Sequence, residues 1–175
     1  MPLRRLIAAN AALLLLLLLA ACGGEGDDSR GEEGEREEKS ASASAQPALG
    51  ERTYQQRCIS CHQLNGEGTT GVFPPLAGSE HANAANVGVP IRIVMHGLQG
   101  PIMVKGVEYN SVMPPYGLGI VMSDEELAAV LTYVRSSWGN RASAVTAEDV
   151  EEEREAMKGH VGAVTAELLK PLMAK

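Results

Sequence analysis

The chain has 175 residues, three cysteines and a formal charge of −7. That acidity excludes nucleic-acid binding, which needs a clustered basic footprint, and three cysteines are too few for a disulfide-built scaffold. Aromatic residues make up 3% of the sequence, with one Phe and one Trp. A domain of ordinary size is then short of bulky apolar mass, and a non-protein group is expected to fill part of its core.

Residues 1–21 have the pattern of an export signal. Arg4 and Arg5 give a basic start, Leu6 to Leu19 an apolar stretch, and Leu19-Ala20-Ala21-Cys22 places small residues before a cysteine. The stretch falls short of the roughly 20 apolar residues a spanning helix needs, and it contains Asn10. The boundary resembles a bacterial lipobox, which implies that Cys22 is acylated and becomes the mature N-terminus. An ordinary cleaved signal and an uncleaved membrane helix are the alternatives. With about 0.8 kcal/mol per buried methylene, two or more acyl chains make such an anchor stable. Residues 22–47 form an acidic tether, with eight acids against Arg30, Arg36 and Lys39. So few apolar residues cannot repay the entropy of ordering, and mutual repulsion extends the segment.

Residues 48–140 carry the chemistry. Gly50, Tyr54 and Cys58 are spaced by four and share one helix face. Cys58-Ile-Ser-Cys61-His62 then reads C-x-x-C-H, the attachment signature of c-type haem. Two thiols at that spacing reach two vinyl groups on one edge of the macrocycle, and the next residue supplies an imidazole. A zinc half-site would want further Cys or His at ligand spacing, whereas His81, His96 and His160 are scattered. A redox dithiol would want a βαβ setting, and none is visible. Export fits, because bacteria attach this haem outside the cytoplasm.

Further along come Pro74, Leu76 and Gly78, then a short helix over 90–96 closed by Gly97. Ile102-Met-Val, Lys105-Gly106 and Val107-Glu-Tyr109 read as a small β-hairpin, with Lys105 an unfavourable residue at a turn position needing positive φ. Met113-Pro114-Pro115-Tyr116-Gly117 precedes a helix over 124–138, whose apolar face is Leu127, Val130, Leu131 and Val134. Ser123 to Glu126 is a capping box with Met122 and Leu127 as its staple.

These motifs together resemble the class I mono-haem c-type cytochromes, most of all the cytochrome domains that accompany quinoprotein dehydrogenases and copper nitrite reductases. The resemblance covers about residues 48–140 and departs at Val89-Pro90, where an uninterrupted helix is expected. It implies an all-α fold of helices wrapped around one covalent haem c, with a small β-hairpin. It implies thioether attachment at Cys58 and Cys61, with His62 as one axial ligand and the Pro74 carbonyl accepting its Nδ1 hydrogen. It implies Met113 as the other axial ligand, held by the proline-stiffened loop. Met95, Met103 and Met122 are the other methionines of the domain, and they read as a core stripe, a strand residue and a helix staple. His96 is the alternative ligand. The resemblance also implies that Gly50 and Tyr54 pack on the last helix against Val130 and Tyr133. Arg92 is a candidate contact to a haem propionate, with a solvated surface arginine as the alternative; Tyr109 and Asn110 are candidate partners of a propionate or of the Met113 sulfur, with a plain turn as the alternative.

Residues 141–175 lie outside the pattern. Thr146 to Asp149 caps a helix running to about Lys158, and a second helix follows Thr165 and stops near Pro171. The amphipathic pattern favours a strap packed on the domain; a docking element is the alternative. The expected function is a membrane-tethered electron carrier without catalytic residues, working outside the cytoplasm with redox partner proteins and no small-molecule substrate. The alternatives are an electron-accepting subunit of a dehydrogenase or reductase complex, and a ligand-binding or peroxidatic haem protein.

Overall fold

The computed structural model describes residues 46–116 and 122–174. The leader, Cys22, the tether up to residue 45 and Gly117 lie outside the described residues. From residue 46 the chain is helical to 57 (α1), and a single turn, Ile59–His62 (α2), follows directly. A looped segment leads to α3 (Gly88–His96), a two-stranded hairpin of β1 (Ile102–Val104) and β2 (Val107–Tyr109), and α4 (Asp124–Ser136). Two further helices, α5 (Ala147–Ala156) and α6 (Ala166–Met173), complete the described chain. The fold is mostly helical with one small antiparallel sheet, as the sequence led us to expect.

Helix α1 crosses α4 at backbone distance. A Cβ on Gly50 would come within 2.2 Å of the Ala129 carbonyl oxygen and 2.9 Å of the Tyr133 Cβ. The expected partners were Val130 and Tyr133. The contact falls on Ala129 and Tyr133, because the α4 backbone rather than a side chain sets the approach. Val130 lies in the same core cluster as Tyr54. Tyr54 is fully buried, donates its hydroxyl to the Gln63 carbonyl at 2.6 Å, and packs 5.5 Å from Tyr133 and 5.0 Å from Trp138 between ring centres.

Both doubtful elements have local explanations. Helix α3 begins at Gly88, two residues before Pro90. Pro90 therefore sits in the first turn, where backbone N–H groups have no helical acceptor and a missing one costs little. The hairpin pairs Ile102 with Tyr109 and Val104 with Val107. Lys105 (φ 51°) and Gly106 (φ 78°) make its tight turn, which matches strand twist. The Glu80 carboxylate accepts the Lys105 backbone N–H at 3.0 and 3.1 Å, and the ammonium lies 3.4 Å from the Ala77 carbonyl. Those contacts hold a non-glycine residue in the left-handed region.

Helix α4 has the expected capping box, with Ser123 and Glu126 bonded reciprocally. It ends at Ser136 instead of reaching Trp138. Trp138 turns to φ 51°, which brings its indole N–H to the Leu64 carbonyl at 3.1 Å. Helix α6 runs on to Met173 through Pro171, past the expected stop. Proline there forfeits one late hydrogen bond, while Leu169 of the same helix is fully buried and anchors it.

Two buried polar residues join the loops. Asn140 accepts from Gly78 N–H at 2.8 Å and the Asn83 amide at 2.9 Å, and donates to the Leu76 and Val134 carbonyls at 3.1 and 2.7 Å. Arg135 is 1% exposed. It donates to the Ala82, Ala84 and Ser143 carbonyls at 2.7–3.0 Å and to the Ser143 hydroxyl at 3.0 Å. The sequence offered Arg135 only as a helix-dipole partner; in the fold it ties the loop after Gly78 to the start of the extension.

Two outcomes follow. Arg135→Met keeps the apolar stem but strands several buried carbonyls, so it should lower the unfolding free energy by about 3 kcal/mol in urea titration. His96 is buried, and among the described residues neither of its ring nitrogens has a hydrogen-bond partner; its ring meets that of His160 edge-on at 5.0 Å. Burial first, then His160, Arg154 and Arg92, hold its pKa below the ordinary 6.5. His81 is depressed too, by burial, which outweighs the opposite pull of Glu80. Below pH 6.5 the unfolded chain binds protons that the folded chain refuses, so stability must fall as the pH drops through that window. Denaturation midpoints taken from neutral pH down to about pH 5 should decline, and less so in His96→Leu.

Candidate functional site

The described residues form a cleft of about 120 Å³, partly open to solvent, between the end of α1, α2, α3, the hairpin and α4. Cys58, Cys61, His62 and Met113 all line it, although Met113 lies 51 residues beyond His62 in sequence. Its walls are otherwise mainly apolar and include Ile93, Val94, Leu98, Val130, Leu131 and Val134.

The cysteines are placed by the break between α1 and α2. Cys58 caps α2 and accepts the N–H groups of Cys61 and His62 on its carbonyl at 3.2 and 2.9 Å, so one tight turn presents both thiols and the imidazole. Burial chiefly pushes the Cys58 thiol up to about 11, with Cys61 adding to the rise and Arg57 opposing it. A thiol held protonated is a poor redox nucleophile, which disfavours the dithiol reading.

His62 is buried, and its Nδ1 lies 3.0 Å from the Pro74 carbonyl oxygen. A carbonyl only accepts, so Nδ1 carries the hydrogen and Nε2 keeps its lone pair. Burial lowers the His62 pKa more than this hydrogen bond raises it, so the neutral, ligating form prevails. The carbonyl is delivered by a compact loop. Leu76 and Ala77 N–H groups bond the Gly66 carbonyl at 2.7 and 3.0 Å, and a Cβ on Gly68 would strike the Phe73 and Pro74 carbonyls at 2.3 and 2.6 Å. Glycine there is required by that close approach as well as by its φ of 64°.

Met113 is fixed through its backbone. Leu98 N–H bonds the Met113 carbonyl at 3.0 Å, and Met113 N–H bonds the Leu98 carbonyl at 2.9 Å. Gly97 (φ 75°) lies so close that a Cβ would sit 2.4 Å from the Met113 carbonyl oxygen. The other methionines stand elsewhere: Met95 and Met122 are buried in the main core cluster, and Met103 is an exposed strand residue. His96 does not line the cleft.

The remaining candidates divide. Tyr109 lines the cleft and is buried; Asn110 is exposed and does not line it. Arg92 bonds Glu153 of α5 at 2.5 Å. That corrects its candidacy as a propionate contact, because the extension supplies a carboxylate which nothing in residues 48–140 announces. Sequence reading missed His81. It lines the cleft, and its buried Nδ1 has no hydrogen-bond partner among the described residues. Only the fold brings this histidine to the cleft; its neighbours in sequence carry no signal.

These residues fit the group expected at a C-x-x-C-H signature. The cleft is apolar, interiors normally close-pack such space, and His81 on its lining has a buried Nδ1 without a partner among the described residues. Two thiols on one turn and two soft or borderline donors, His62 and Met113, are the donor set that haem attachment and six-coordinate iron use.

Comparison with known proteins points the same way. A model of the family described as cytochrome c matches residues 47–138. The chain is 41% identical over 115 residues to cytochrome c-552 of Thermus thermophilus, covering 61% of this chain and 85% of that protein. It is 33% identical over 116 residues to the cytochrome c subunit of the quinone alcohol dehydrogenase of Gluconacetobacter polyoxogenes, covering 66% of this chain and 24% of the subunit. It is also 30% identical over 128 residues to the gluconate 2-dehydrogenase cytochrome c subunit of Pantoea cypripedii, covering 69% and 28%.

Proposed function

The chain belongs to the cytochrome c family and is an electron-transfer protein with one covalently bound haem c, and on that premise we propose that residues 48–140 bind it through Cys58, Cys61, His62 and Met113. The observation that carries the assignment is the meeting of these four side chains on one apolar cleft. Cys58 and Cys61 would hold the group through thioether bonds, and His62 Nε2 and the Met113 sulfur would donate to its iron. The bound group supplies one-electron exchange between ferrous and ferric iron.

The protein's part is to set the environment of that exchange. Pro74 holds the His62 tautomer through its carbonyl, which orients the imidazole. A thioether donor favours the ferrous state and raises the potential. The apolar walls contributed by α3 and α4 exclude water and disfavour the more charged oxidised state. Of the polar side chains lining the cleft, which also include Arg57, Ser79, Ser111 and Tyr116, we assign Tyr109 and His81 to the propionate carboxylates.

We further assign residues 1–21 to a lipoprotein signal, Cys22 to lipid attachment, 22–47 to the tether and 141–175 to a helical extension. The protein then works outside the cytoplasm, anchored at a membrane surface. Among the described residues no helix is long and apolar enough to cross a membrane, and the sequence around Cys22 supports the anchor. A second reading, an electron-accepting subunit beside a dehydrogenase, is favoured by the relatives named as such subunits. It uses the same site and differs in having a stable partner, which co-purification detects.

The first test is the visible spectrum of the purified ferric protein. A weak red band of methionine-to-iron charge transfer is expected, and Met113→Ala should abolish it. A high-spin parent spectrum without the band would sink the closed six-coordinate assignment and turn the reading towards ligand binding or peroxidase chemistry. For the anchor, Cys22→Ala should shift the protein from the membrane fraction to the soluble fraction; an unchanged distribution overturns the lipid assignment.

A further inference from the structure

The extension does more than cover the domain. Leu98 is the middle member of a three-stranded patch one residue wide. On one side it bridges Met113 in antiparallel fashion, and on the other Val164 in parallel fashion. The outer bonds run from Val164 N–H to the Gly97 carbonyl and from Gln99 N–H to the Val164 carbonyl, both at 3.0 Å. Val164 is fully buried. Met157, Val164 and Leu169 of the extension share a core cluster with Leu98, Ile102, Val104 and Tyr109, and Met113 packs against that cluster.

Both hydrogen-bonding groups of Leu98 are spent on Met113. The flanking groups that point the other way, Gly97 C=O and Gln99 N–H, are spent on Val164. Gly97 is buried, so a strap in place but unable to donate at 164 leaves the Gly97 carbonyl without its partner, a state that costs free energy until the segment shifts. A shift of 97–99 passes directly to Met113, because Gly97 is in backbone contact with the Met113 carbonyl. The extension is held at both ends of this patch. Glu153 of α5 bonds Arg92 of α3, and α6 packs on α3.

We propose that residues 157–169 are a positioning element for Met113: the Val164 ladder fixes the Gly97–Gln99 segment, and that segment fixes the backbone of the iron-ligating methionine. The proposal rests on the assignment of Met113 as axial ligand. The family match ends at residue 138, so this support comes from chain outside the matched region.

The test uses cyanide, which competes with the methionine sulfur for ferric iron, on the purified full-length holoprotein. Val164→Pro removes the N–H donated to Gly97, and Leu169→Ala loosens the same anchor without touching the ladder. Leu127→Ala is the control, destabilising the main core away from the patch. Val164→Pro should bind cyanide about five- to tenfold more tightly than the parent, in keeping with the loss of one buried hydrogen bond, and Leu169→Ala should move in the same direction. Leu127→Ala should lower the melting temperature while leaving cyanide affinity unchanged. If Val164→Pro does not fold, Leu169→Ala decides. Parent-like cyanide binding in the strap variants, with the red band present in the parent, overturns the proposal alone. A parent without that band overturns the Met113 assignment and the proposal together.

Discussion

A chain with one phenylalanine and one tryptophan cannot close a core of this size with its own side chains. The consequence is visible in every element that borders the cleft. Helices α3 and α4 and the hairpin turn apolar residues onto a common cleft, while Ile91 and Met95 of α3 also pack with Leu127 and Val130 of α4. The segments between them are held by polar contacts to backbone, as if to keep the walls apart at a set distance. Haem c resolves the constraint by supplying the missing apolar mass and making it covalent. Hydrophobic burial then depends on a group that the chain must first attach, so folding and cofactor capture are bound to one another.

That dependence explains where buried polar residues are tolerated. Arg135 and Asn140 lie in the interior, yet each side chain makes four hydrogen bonds, mostly to backbone groups. Together they tie the loop carrying the Pro74 carbonyl, the end of α4 and the first residues after it. A charge buried in this way is costly to leave unpaired, and here its partners are all fixed by the fold. The same economy appears at Lys105, where a carboxylate on a distant loop holds a turn that the residue itself disfavours. The loops tied by these residues are therefore fixed by specific contacts, as the helices are.

How much of this was legible depends on the range of the interaction. Local signals read well. The capping box at Ser123, the hairpin around Lys105-Gly106 and the C-x-x-C-H turn each rest on residues within a few positions of one another. The resemblance that named the family rested on such motifs. Contacts between distant segments did not read well. Gly50 meets Ala129 because of how two helix backbones cross, and no spacing rule chooses that residue over Val130. Arg92 is claimed by Glu153, and the Leu98 patch by Val164, because an extension with no family pattern folds back across α3. His81 reaches the cleft through a loop whose path is set by Asn140 and Arg135. Helix ends at Trp138 and Pro171 were misplaced for a related reason: tertiary anchors outweighed the local stop signals.

Trp138 is the chain's single indole, and its setting has an optical consequence. It bonds Leu64, just beyond the C-x-x-C-H turn, and lies between Tyr54 of α1 and Tyr133 of α4, with ring centres 5.0 and 5.7 Å away. Tryptophan fluorescence from this protein therefore originates at one joint, where α1, the loop after His62 and the end of α4 come together. A change in that emission reports the opening of the joint. The molecule thus carries a built-in optical gauge of the crossing between its first and last core helices.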